Sequence, residues 1–101
     1  MMERKVVISK IAEKKLEKLF EYLLKNWSFK VKSDFIKKLD KNISLIKSYP
    51  ESFPQSAIDP ALRKCVVTRQ TTLFFKFDKK EIKILTIFDN RQNPDKLKTD
   101  L

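Results

Sequence analysis

Three short stretches carry the residues that chemistry could use. In LTIFDNRQNP an apolar run ends at Asp89-Asn90 and Arg91 follows at once. In ALRKCVV, Arg63 and Lys64 precede Cys65, and in TTLFFKFD, Lys76 stands among phenylalanines. Arginine is effectively always protonated and its planar fork suits phosphate or carboxylate. Lysine moves a proton only where burial or neighbouring cations lower its pKa. Cations at a sheet edge can therefore grip an anionic partner, or stabilise a phosphorane while RNA is cleaved through its own 2′-hydroxyl. The second task also needs a base and an acid. Histidine is absent and the two tyrosines, Tyr22 and Tyr49, fall in the amino-terminal half, so the acid has no evident owner.

The composition narrows the setting for these residues. A chain of 101 residues has room for one core, so residues 1–101 read as one domain. Apolar residues make up 42%, eight of them Phe, enough to fold without disulfide or metal. The single cysteine forms no internal disulfide, and without histidine the usual zinc sites and Cys-His nucleophile pairs are excluded. Acidic residues show no calcium-loop spacing, and the absence of glycine argues against phosphate-cradling loops; no metal or cofactor is expected. The segment MMERKVVISK lacks the apolar stretch of a signal peptide and no run approaches a membrane span, so the expectation is a soluble cytoplasmic protein with no membrane partner. A net charge of +10 favours anionic partners.

The elements that must position these cations are readable from periodicity. KVVIS suits a short strand, after which Ser9 can cap a helix. Ala12, Leu16, Leu19, Phe20, Leu23 and Trp27 recur every three or four residues on one helical face, which predicts a core role for Trp27. Ser28 is a second cap, and Val31, Phe35, Leu39, Ile43 and Ile46 form another stripe that must stop before Pro50. The helices form an antiparallel hairpin, since only a residue or two separates them. YPESFPQSAIDP is a loop between halves.

Beyond that loop the period changes. ALRKCVVTR, TTLFFKFD and EIKILTIFD read as three strands of an antiparallel meander, joined by turns longer than two residues because no glycine is present. Leu73, Phe75 and Phe77 then share one sheet face, Phe74 and Lys76 the other. The helices cover the first face and leave the second partly open, with apolar and basic side chains mixed. Arg63 and Arg69 share a face with Cys65, a small buried thiol; Arg69 falls in a turn.

The order β-α-α-β-β-β, an α+β fold with a helical hairpin packed on a small antiparallel sheet, resembles the RelE/ParE toxins of bacterial type II toxin–antitoxin systems. The likeness is carried by VVISKIAEKKLEKLFEYL with NWS, LIKSYPESFP, LRKCVV, LFFKFDKKEIKILTIF and RQNP. It implies a growth-inhibiting toxin, of the kind that stabilises plasmids, neutralised by a cognate antitoxin. RelE-like members cut messenger RNA in the ribosomal A site; ParE-like members poison DNA gyrase. The setting of Arg91 and the tryptophan after the first helix resemble the ParE-like kind. Arg63 and Arg91 match arginines of the family and are candidate contacts to target or partner. The alternatives are a ribosome-dependent messenger RNA endoribonuclease, with Lys64, Lys76 and Arg91 as its cationic site, and a non-toxic module that only binds an antitoxin. The missing acid and base residues favour a binding protein over an enzyme, with gyrase as target rather than ribosome and mRNA.

Overall fold

The structure, a computed structural model, describes residues 4–90. The chain runs through strand β1 (Lys5–Ile8), helices α1 (Lys10–Asn26) and α2 (Phe29–Ser48), a 3-10 turn (Pro50–Ser52), and strands β2 (Arg63–Val66), β3 (Thr71–Phe77) and β4 (Glu81–Asp89). Ser9 joins strand, helix and sheet at one point. Its hydroxyl oxygen accepts from the Ala12 amide at 3.1 Å, capping α1, and donates to the Leu85 carbonyl at 2.6 Å. Leu85 is the extra residue of a bulge, since Phe74 pairs with Thr86 and Phe75 with Ile84. A bulge leaves a carbonyl outside the ladder, and the cap of α1 satisfies it. Ser28 caps α2 through the Val31 amide at 3.2 Å.

The sheet order is β1-β4-β3-β2. The meander of β2, β3 and β4 is antiparallel as its sequence predicts, whereas β1 lies parallel to β4, so the whole sheet is mixed. The helical hairpin is the crossover that permits this, carrying the chain across one face before the meander begins. Both turns of the meander exceed two residues, and no described residue has positive φ. Strand β2 is shorter than its apolar run; Val67 leaves it for a turn closed by bonds between Thr68 and Thr71.

Ala12 and Leu16 of α1 meet Phe35, Leu39 and Ile46 of α2 and the inward row Cys65, Leu73, Phe75, Ile82, Ile84 and Ile87. Phe53, from the loop after α2, meets Phe75 edge to face with centroids 5.8 Å apart. Two expectations fail. Trp27 is 66% exposed, because the helix ends at Asn26 and the cap residue departs from helical φ and ψ, so the stripe does not extend to it. The face away from the helices is less open than alternation suggests: Phe74 and Phe88 cluster there and, with Thr72 and Thr86, are buried. What remains exposed on it is Lys5, Val66, Lys76 and Lys83.

Candidate functional site

The later apolar residues of α1 are not fully covered: Leu19 and Leu23 are only partly buried and Trp27 is exposed. The result is a groove of about 560 Å³ between α1, the start of α2 and the end of β4. Leu19, Leu23, Trp27, Val31, Phe35 and Ile87 give it apolar walls, with Lys15, Lys18 and Tyr22 along the α1 side. An amphipathic segment with acidic flanks fits such a channel, its apolar side chains meeting the walls and its carboxylates the lysines. The groove was not anticipated, although the i, i+4 run Leu19, Leu23 and Trp27 beside Lys15 and Lys18 was its signal.

A second feature lies on the sheet face away from the helices. Lys64 pairs with Phe74, and Phe74 with Thr86. Two residues along β3, Lys76 stands directly opposite Lys83 of β4. Like charges at paired positions are destabilising by a few tenths to about 1 kcal/mol, so the fold carries a local cost for a cationic face. Lys64 and Lys76 thus do share a face, and Lys83 joins them; alternation in EIKILTIFD could have placed it there. Lys76, Asp78, Glu81 and Lys83 line a cup of about 200 Å³ at the β3–β4 turn. Asp78 is committed to that turn: the Lys80 and Glu81 amides donate to its Oδ1 at 2.7 and 2.8 Å and lower its pKa. An acid held ionised in this way is a poor proton donor.

Arg63 points to the opposite face. Its Nη1 donates to the Phe53 carbonyl at 2.9 Å and its guanidinium lies 5.8 Å from the Phe77 centroid. It therefore fastens the loop after α2 to the sheet and is separated from Lys64 by the thickness of the strand. Arg69 is exposed in the turn after β2. Cys65 is buried, its thiol 3.4 Å from Asn42 Oδ1, and desolvation pushes its pKa up to about 11, so it is no nucleophile. Arg91 lies outside the described residues. The residue before it is Asn90, whose amide donates to Gln70 O at 2.8 Å and whose Nδ2 donates to Arg69 O at 3.1 Å.

The chain is thus a helical hairpin on a four-stranded mixed sheet, with an apolar groove at one end and cations on the free face. Residues 6–94 match the model of the ParE toxin of type II toxin–antitoxin systems, parDE, and the chain belongs to that family. Solved structures agree on the fold. The chromosomal ParDE system from P. aeruginosa superposes with a TM-score of 0.72 at 13% identity, over 86% of this chain and 96% of that one. The YoeB dimer from Staphylococcus aureus gives 0.61 at 14%, over 86% and 97%. The E. coli DinJ-YafQ toxin–antitoxin complex gives 0.57 at 14%, over 89% and 96%. No curated protein sequence matches the chain. Among the described residues no helix is long and apolar enough to cross a membrane, and no group of three or more His, Cys, Asp or Glu could hold a metal ion.

Proposed function

We infer that the protein arrests growth by binding and inhibiting DNA gyrase, and that a cognate antitoxin silences it by laying an acidic amphipathic segment in the groove beside Trp27. The observation that supports the antitoxin half is the groove itself, apolar within and lysine-edged on one side, on a chain of net charge +10. The lysine face supports inhibition by binding. It offers Lys64, Lys76 and Lys83 to an anionic partner, and the side chains between them, Phe74 and Thr86, have no group that gives up or takes a proton near neutral pH. Arg63 and Arg91 are contacts to target or partner in this reading.

The competing reading, cleavage of ribosome-bound messenger RNA, draws on the cup where Glu81 stands with Lys76 and Lys83. A carboxylate base and two cations are there, but no acid for the leaving oxygen. Primer extension on transcripts from arrested cells separates the two. Intact transcripts with gyrase-linked double-strand breaks are expected; cuts at the ribosomal A site would transfer the activity to that cup. Co-expression with the product of the adjacent gene tests the antitoxin half, which fails if the two proteins do not co-purify.

A further inference from the structure

Arg4 and Arg63 approach one ring from different parts of the chain. Their guanidinium carbons lie 5.6 and 5.8 Å from the Phe77 centroid. Both also reach Glu51: Arg4 Nη2 stands 3.6 Å from its Oε1, and Arg63 Nη1 lies 3.5 Å from its backbone carbonyl. The cations are well anchored, since Arg4 Nε donates to Asp78 O at 2.7 Å and Arg63 Nη1 to Phe53 O at 2.9 Å. The anion is not. Glu51 sits on a three-residue turn with its side chain 67% exposed, and an ion pair that open to water is worth no more than about 1 kcal/mol. Two anchored guanidiniums over one aromatic ring, with a single loosely held carboxylate beside Arg4 and only backbone carbonyls beside Arg63, form an exchangeable anion site.

We propose that Arg4 and Arg63, over Phe77, clamp a carboxylate side chain of an acidic protein segment, which takes the place of Glu51. The internal occupant is itself a carboxylate, so exchanging one for another leaves the local charge unchanged and trades a long contact for the bidentate geometry that arginine favours. The proposal rests on Arg63 as a partner contact and is independent of the cellular target.

The test is a fluorescence anisotropy titration of the full chain with a labelled peptide of alternating glutamate and alanine, beside a labelled single-stranded RNA, at one fixed ionic strength. Arg4→Lys keeps the net charge but loses the fork, and should weaken peptide binding about fivefold. Arg69→Lys, in the turn after β2, should leave it unchanged. Glu51→Gln alters only an exposed group and should strengthen peptide binding more than RNA binding. The clamp is overturned if Glu51→Gln shifts both ligands equally, or if Arg4→Lys leaves the peptide unaffected. A larger loss for RNA than for peptide in Arg4→Lys would overturn it too, by assigning the arginines to phosphate. Failure to co-purify with an antitoxin would sink the toxin–antitoxin reading and leave these titrations standing.

Discussion

Thr72 Oγ1 donates a 2.7 Å hydrogen bond to Asn90 Oδ1. With the two bonds from Asn90 to the carbonyls of Arg69 and Gln70, this fixes the chain at the point where Arg91 follows. Holding Asn90, the last described residue, in one place lowers the entropy lost if the segment beside it engages an anion. Thr72→Val and Asn90→Ala should each reduce growth arrest on induction without antitoxin, though less than Arg91→Ala, while losing only about 0.5–1.5 kcal/mol of stability. The comparison is plating efficiency of folded variants. Full toxicity in all three would show that the pinned exit has no part in the activity.

Ser9 should matter more to stability than any other exposed or half-buried serine. Its removal takes a helix cap and the partner of the bulge carbonyl together. Ser9→Ala is expected to cost about 1–3 kcal/mol, against about 1 for Ser28→Ala, which loses a cap alone. Urea midpoints at unchanged slope measure the difference.

The lysine pair should show stability and function pulling apart. Lys83→Gln removes the charge facing Lys76, so thermal stability should rise slightly, by about 0.2–1 kcal/mol. If the cationic face meets an anionic partner, the same variant should arrest growth less. Unchanged arrest would mean that the face is only a solvated surface.

Cys65 gives a pH signature. Its folded pKa of about 11 exceeds the unfolded value near 9.0, so below pH 9 the thiol is neutral in both states and costs nothing. Above that, the unfolded chain releases a proton that the folded chain keeps, and stability falls as pH rises from about 9 to 11. Cys65→Ala should lose that part of the slope, isolated by subtracting its chemical denaturation curves from those of the parent protein.

Much of this architecture was legible because it is local. Ser9 and Ser28 announce their helices, and the alternation in LFFKF assigns Leu73 and Phe75 to the core. Period alone names a face and not a neighbour, so it places β1 in the sheet without showing that it runs parallel to β4. Trp27 kept its place in the helical spacing but not in the helix, since a cap residue breaks the 100° progression. The sites were harder. Lys64 and Lys76 share a face by simple alternation, whereas the meeting of Arg4, Glu51 and Arg63 over Phe77 depends on a loop folding back onto the sheet, and no periodicity records that.

Trp27 offers the sharpest test of the groove, because it is the only tryptophan in the chain. Exposed at the end of α1, it makes little contribution to the core, so Trp27→Ala should change stability by less than about 0.5 kcal/mol, as surface substitutions do. An aromatic at a groove wall is where interface energy concentrates, and truncation there should weaken antitoxin binding by about 2 kcal/mol, or roughly thirtyfold. The free protein should emit like a hydrated indole, and antitoxin should shift the emission to the blue as the ring leaves water. A titration that forms the complex with no shift, and an alanine variant that binds as tightly as the parent, would move the antitoxin away from this groove and onto the sheet.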